Sequence, residues 1–411
     1  MNKQDQETLT RIGPGTPMGE LLRRYWYPVA ASSELSTGST RKVRLLCEDL
    51  VLFRKPAGEL GLIAERCPHR GASMHCGHID DEGIACPYHG WKFDAQGHCL
   101  SMPAEITQKP RLLERAGIQA YPVEELGGLI FAYLGPQPAP LLPRYDLFIM
   151  DNVLRDVGRA LIPCNWLQIM ENSVDPTHVE WLHGHHLAVV RAKQGKSVPT
   201  HYGKHQIKIG FDLFRYGIVK RRVVEGNSEA DEDWQIGHPL IFPCMLRVGT
   251  QGQHRFQIRV PVDDTHTLHY WYACYQPAAG KTVPVQTEIP LYEVPWQDAE
   301  GKFIVDFVDG GDIMVWVTQG EIADRTDEIL VSADQGVVMY RKLLLDQALI
   351  ASEGGEPMGV VRDPEENRCI EFAQERNKFQ AGQEFLHEAI EMSHVRYSPI
   401  KQQIVELLGT D

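Results

Sequence analysis

Four side chains stand out in this 411-residue chain as a ligand set: Cys67 and His69 in Cys67-Pro68-His69, and Cys86 and His89 in Cys86-Pro87-Tyr88-His89. Sixteen residues separate His69 from Cys86. A gap of one or two residues keeps both side chains of a pair at the tip of one loop. Two thiolates and two neutral imidazoles complete a four-ligand set. One occupant would be a structural zinc ion on two cysteines and two histidines. The other would be a [2Fe–2S] cluster with one iron on the cysteines and one on the histidines. Zinc fingers commonly supply a cysteine pair and then a histidine pair, whereas each loop here supplies one of each. A cluster clamped between two loop tips needs that mixed arrangement, so the two-iron reading is preferred. His75, Cys76, His78, His98 and Cys99 lie close by, but none restores both spacings.

A second constellation runs from Asn165 to His183. At helical spacing Gln168, Glu171, Asn172 and Asp175 share one face. A solvated amphipathic helix explains that stripe. It does not explain Asp175 followed by histidines three and eight residues later. His178 and His183 can offer two neutral nitrogens to one metal, and a carboxylate from elsewhere would complete a two-histidine, one-carboxylate triad with open positions. His185 and His186 offer other pairings. Asp306, Asp309, Asp312 and Asp324 are the carboxylate candidates, and a helix N-cap is the plain reading of Asp312. Pro176 predicts a break before His183.

Cys67-Pro68-His69-Arg70-Gly71 and Cys86-Pro87-Tyr88-His89-Gly90-Trp91 resemble the two cluster loops of Rieske ring-hydroxylating oxygenases. Asp-x₂-His-x₄-His after an Asn/Glu-rich helix resembles their mononuclear iron segment. The resemblance implies that His178 and His183 bind Fe(II), and that Asp175 bridges His178 to a cluster histidine of a neighbouring subunit as an electron path. It places Asn172 and Asn165 near the open iron positions and Trp91 beside the cluster. Gly310-Gly311-Asp312-Ile313-Met314-Val315-Trp316-Val317-Thr318-Gln319 resembles the segment that holds the third ligand, so Asp312 is chosen. Respiratory Rieske proteins carry a disulfide whose cysteines would fall at Ala72 and Tyr88. Its absence predicts a potential at the low end of the roughly −150 to +300 mV Rieske range.

Residues 11–26 and 319–326 resemble a narrower group: phthalate and chlorobenzoate dioxygenases and aryl O-demethylases. The resemblance implies the terminal oxygenase of a multicomponent system. It would take NAD(P)H-derived electrons from a ferredoxin or a flavin/iron–sulfur reductase, and would work as a homotrimer or stacked trimers. The expected reaction is ring dihydroxylation of an aromatic, carboxylated compound. O-demethylation or hydroxylation of a methoxy- or aryloxy-benzoate is the alternative, and an electron carrier without oxygenase activity is the remote one. Arg221, Arg222 and Arg247 are candidates for holding the substrate carboxylate.

The elements that must position these residues read as α+β. Thr16 can cap a helix from Pro17 to Trp26. Short runs at 43–46, 50–53, 61–64 and 129–134 read as strands of a small antiparallel domain. Further strands are expected at 205–211, 240–248, 257–260 and 266–275, and an amphipathic helix at 330–350. The expected organisation is an N-terminal segment at 1–40 packed on the catalytic domain, a cluster domain at 41–140, and a catalytic domain at 141–411. That last domain is an antiparallel sheet flanked by helices. A formal charge of −14 lacks the basic footprint of a nucleic-acid binder. No signal peptide or apolar span of about 18 residues is seen, so a cytoplasmic protein with reduced thiols is expected.

Overall fold

The apolar runs of the first 140 residues are short and rich in branched and aromatic side chains, which suits pleated strands. The computed structural model describes residues 1–106 and 110–409. Strands Ser39–Leu45, Glu48–Arg54, Leu60–Ala64 and Ala120–Tyr121 form one antiparallel sheet. In Glu48–Arg54 the period-two alternation divides two cores. Val51 and Phe53 pack with Cys67, Cys86 and Phe93, while Leu50 and Leu52 join the larger core of the molecule. Four short strands, His78–Ile79, Ile84–Ala85, Lys92–Phe93 and Cys99–Ser101, carry the second cysteine loop between them.

A three-stranded sheet pairs Trp26–Ala31 with Leu129–Tyr133 and Val123–Leu126. The expected helix from Pro17 to Trp26 therefore stops early, at Leu22. Thr16 does cap it, accepting from Gly19 N at 3.1 Å. Aromatic Trp26 and Tyr27 with Pro28 favour the strand that follows.

The rest of the chain is built on an eight-stranded sheet. Its order is Gln206–Phe214, Gly217–Val224, His238–Ile241, Met245–Thr250, Gln253–Asp263, His266–Tyr275, Leu154–Ile162 and Leu291–Glu293. Neighbours are antiparallel except the last strand, which runs parallel to Leu154–Ile162. The run expected as one strand at 240–248 is two, divided at Phe242-Pro243-Cys244, because proline cannot donate to the ladder. The late amphipathic helix spans Gln335–Ser352, beginning after the 330 expected for it. None of the described helices is long and apolar enough to cross a membrane.

Helix Trp166–Val174 is buried against this sheet and against helices Val308–Thr318 and Gln335–Ser352. Its polar stripe is spent on two tasks. Gln168 donates to Trp316 O and Gly320 O, both at 2.8 Å, and accepts from Ala323 N. Glu171 accepts a two-pronged contact from Arg325, at 2.8 Å to each oxygen, and another from Arg341 at 2.6 Å. Arg341 keeps Glu328 as a second partner, but Arg325 has no other carboxylate among the described residues. Glu171→Ala leaves a buried guanidinium unpaired and is expected to cost about 3–5 kcal/mol. Chemical denaturation checks this, and an unchanged midpoint would contradict it.

Candidate metal centres

Cys67 and Cys86 begin two turns with one backbone plan. Each cysteine N–H donates to the carbonyl five residues on, Ala72 O at 2.9 Å and Trp91 O at 2.7 Å. Each cysteine carbonyl accepts from a glycine four residues on, Gly71 N and Gly90 N, both at 2.9 Å. Gly71 and Gly90 take φ of 72° and 71°, a region that penalises a Cβ. Both cysteines are buried, His69 is exposed and His89 is half-buried. The two imidazole centroids lie 4.5 Å apart, and Trp91 stacks on His69 at 4.6 Å and 3°. Burial pushes the Cys67 thiol up, while N–H groups of His69 and Arg70 donate to its sulfur and pull the other way.

Inward thiols, outward imidazoles and backbone donors at sulfur fit a [2Fe–2S] group with one iron on each ligand type. The neighbouring residues are placed otherwise. His75 lies 3.0 Å from Thr40 Oγ1 and His98 2.9 Å from Asp94. Cys99 is buried and donates to Ser101 O, while Cys76 and His78 are an exposed thiol and an exposed ring. All nine cysteines are free, so no disulfide joins the two loops.

The second centre depends on a change of helix type. Helix Trp166–Val174 ends before Asp175, and Val179–His186 is a π-helix. In an α-helix residues five apart differ by about 140° in direction. A π-helix closes i→i+5 bonds and brings such residues toward one face. His178 and His183 meet with ring centroids 5.1 Å apart. Asp312 lies 3.3 Å from His183 Nε2 and 3.8 Å from His178 Nε2. One ligand atom from each of the three falls within 4.8 Å of the others, and Asp312 Oδ1 is buried with no hydrogen-bond partner. Two neutral nitrogens and an unpartnered carboxylate oxygen fit a divalent iron.

Asp312 sits inside helix Val308–Thr318, so it is not the N-cap, a place taken by Phe307. The other carboxylates are committed elsewhere. Asp306 pairs with Lys196 and Arg396. Asp309 accepts from Trp271 Nε1 at 2.7 Å and His394 N at 2.8 Å. Asp324 caps Thr326 at the surface. His185 and His186 are exposed, and His185 packs on Trp181.

Asp175 holds His178 from behind. Its Oδ2 accepts from His178 N at 3.1 Å and lies 3.4 Å from His178 Nδ1. Its Oδ1 accepts from Thr177 N and Oγ1. Burial opposes its ionisation, but His178 and Thr177 outweigh burial and keep the carboxyl well below its usual range. Asn165 is placed away from this centre. It caps helix Trp166–Val174 through Leu167 N, and its amide donates to Thr10 O and Asp264 O.

Residues 25–122 match the family described as "Rieske [2Fe-2S] domain", and 132–287 with 297–378 match "LigXa C-terminal domain like". The 5,5'-dehydrodivanillate O-demethylase oxygenase subunit of a Sphingobium species is 41% identical over 373 residues, covering 90% of this chain and 86% of its own. The 3-chlorobenzoate-3,4-dioxygenase oxygenase subunit of Comamonas testosteroni is 40% identical over 311 residues, covering 73% and 70%. The chain belongs to the Rieske oxygenases. The structure of Pseudomonas putida NdmA shares the fold, with a TM-score of 0.61 at 21% identity over 83% of this chain and 94% of that one.

In this Rieske oxygenase a cavity reaches the triad, and Asn172, His178, His183 and Asp312 lie in its wall. Its floor is the inner face of the large sheet, and five buried cations line it: Lys220, Arg222, Arg255, Arg259 and Lys378. Of the three arginines suggested by the sequence, only Arg222 is among them. Arg221 is a surface cation bound to Asp212 and the carbonyls of Trp234 and Gln235. Arg247 points to the opposite sheet face, against Asp146 and the Phe256 ring. Gln253, Arg255, Gln257 and Arg259 alternate along one strand with His254, Phe256 and Ile258. That period-two polar face, inside an otherwise apolar strand, was the available signal for the missed arginines.

Proposed function

We propose that this Rieske oxygenase binds its mononuclear iron through His178, His183 and Asp312 and O-demethylates methoxylated aromatic carboxylates. The observation that carries the substrate class is the cationic cavity at the triad: buried guanidinium and ammonium groups need an anionic partner. Similarity to the dehydrodivanillate O-demethylase subunit across 90% of the chain supports the outcome. Iron(II) in the triad would supply O₂ binding and activation, and the cluster on Cys67, His69, Cys86 and His89 would supply electrons. Leu246 and Val248 give the cavity an apolar floor for a ring. Asn172 offers an amide donor and acceptor beside His178. Asp175 orients the His178 imidazole and is the bridge toward a cluster histidine of a neighbouring subunit, in a homotrimer or stacked trimers. The outward edges of His69 and His89 suit docking of a ferredoxin or reductase that draws on NAD(P)H.

The test supplies holoenzyme, reductase and NADH with methoxybenzoates, methoxyphthalates and phenoxybenzoates. Formaldehyde formed in step with O₂ use is the expected result. Oxygen consumption that yields only hydrogen peroxide on every compound would overturn the reading. Ring dihydroxylation is the second reading, favoured by the chlorobenzoate relative. It predicts a cis-diol and no formaldehyde.

Lys220 gives a pH dependence. Burial, then repulsion from Arg222, lowers its ammonium to about 7. It is charged below that value and loses its proton as pH rises through it. KM for a carboxylate substrate is therefore expected to rise above pH ~7. Lys220→Met should flatten that profile, and an identical profile in the variant would refute the assignment.

A further inference from the structure

A row of aromatic rings runs from the helix of Asp312 to the edge of the large sheet, and oxygenation of a substrate makes no use of it. It starts at Trp316, four residues past Asp312 on helix Val308–Thr318, so the two share a face about 6 Å apart at Cβ. The His269 ring lies 5.6 Å from that of Trp316 at 19°, and the Trp271 ring 4.1 Å from that of His269. His394 stacks on Trp271 at 5.5 Å and 20°.

The sheet sets the direction of the row. Gln257, in the cavity wall, faces Trp271, which faces Gly158, which faces Tyr292 on the edge strand Leu291–Glu293. Directly opposed residues share one face of a sheet. Gly158 leaves that face open, since a Cβ there would stand 3.3 Å from His394 Cδ2 and 3.3 Å from Tyr292 Cε2. The two rings therefore meet over the glycine, and the row ends at half-buried Tyr292.

Packing alone does not ask for these residue types. Trp316 Nε1, both His269 nitrogens and His394 Nε2 are buried without hydrogen-bond partners, a cost that leucine or phenylalanine would avoid. Carboxylates stand beside two of the oxidisable rings. Asp309 accepts from Trp271 Nε1 at 2.7 Å and so stabilises positive charge on the indole. Asp156, buried two residues before Gly158, accepts from Tyr275 Oη at 3.1 Å and from Ser398 Oγ, and no cation pairs with it among the described residues. The Tyr292 hydroxyl faces the same carboxyl without a fully formed hydrogen bond. Burial pushes Asp156 up to about 6, so it is ionised at neutral pH and able to take a phenolic proton.

We propose that Trp316, Trp271 and Tyr292 pass electrons to the triad when O₂ has been reduced to peroxide there without product, with Tyr292 as the terminal donor. This rests on iron being held by His178, His183 and Asp312, and it is an activity beyond aromatic oxidation. In one pass an electron moves from Trp316 to the triad, from Trp271 to Trp316 and from Tyr292 to Trp271, while the Tyr292 O–H proton goes to Asp156. A small one-electron donor of the ascorbate class then restores the phenol. Its electron goes to the tyrosyl radical, Asp156 returns the proton, and the proton released by the donor balances water formation. Two passes convert one hydrogen peroxide to two waters.

The test adds one equivalent of hydrogen peroxide to ferrous holoenzyme without substrate, freezes the mixture within milliseconds and reads its EPR spectrum. A tyrosyl signal is expected, narrowed in protein carrying ring-deuterated tyrosine. Tyr292→Phe should lose that signal and lose ascorbate-dependent peroxide consumption, with iron content, cluster content and product formation on substrate as in wild type. Trp271→Phe should lose the signal as well, and so should Asp312→Ala, which removes the iron. The rival donor is Tyr202, whose ring lies 5.9 Å from that of His183, and Tyr202→Phe should leave the signal in place. The row is overturned by the absence of any protein radical in fully loaded wild type, by an unchanged signal in Tyr292→Phe, Trp271→Phe or Asp312→Ala, or by its loss in Tyr202→Phe. Iron content and product formation test the triad separately, so the row can fail while the oxygenase reading stands.

Discussion

Asp312→Ala is expected to remove one iron per chain and abolish oxygenation while leaving the [2Fe–2S] signature intact. Among the described residues Asp312 is the carboxylate that reaches both His178 and His183, and the metal-ligating group found there consists of these three side chains. The neighbouring aspartates cannot substitute. Asp309 is held by Trp271 and His394, and Asp306 by Lys196 and Arg396. Losing a residue that merely supports a ligand costs about 10–100-fold, so losing the ligand should exceed about 100-fold in product formation. Iron analysis should fall from three to two per chain, while the visible and EPR spectra of the reduced cluster persist. Wild-type protein that holds only two irons per chain when fully loaded, and forms no product with reductase and substrate, would sink the oxygenase assignment of this site and favour an electron carrier.

Asp175→Asn is the second large effect. Both Asp175 oxygens are engaged, one by Thr177 and one by the His178 backbone and imidazole. An amide keeps the shape but replaces one acceptor with a donor and removes the charge that fixes the His178 tautomer. Both metal loads should survive, because no ligand is lost. Product formation is expected to fall by about 100-fold or more. In single turnover with substrate and O₂, the reduced cluster should stay reduced far longer than in wild type. Normal reoxidation of the cluster with normal product yield would refute the bridge. Loss of iron on purification would recast Asp175 as purely structural.

The cluster loops were legible because their chemistry is local. Cys67 with His69, and Cys86 with His89, sit within three residues of each other, and Gly71 and Gly90 mark the turns. His178 and His183 were legible as a pair by type and spacing. Why five residues suit them was not, since an α-helix would spread them and the π-helix Val179–His186 draws them together. Asn165 shows the opposite error: a polar residue at the head of the motif is a cap, held by backbone partners far along the chain.

By itself, the sequence determined which atoms could hold metal. Donor type and short spacing survive any fold that keeps a loop or a helix intact. A family resemblance singled out Asp312 among four aspartates, but only the tertiary structure shows why it is the one within reach, because it comes from a helix more than a hundred residues away that packs against His183. The tertiary structure also decided what the cavity prefers. Arg222 turns inward while its neighbour Arg221 turns out, as successive strand residues must. Arg255 and Arg259 face the triad only because their strand lies between Met245–Thr250 and His266–Tyr275 in the sheet. A cation's meaning depends on the carboxylate beside it, and that neighbour is chosen by packing.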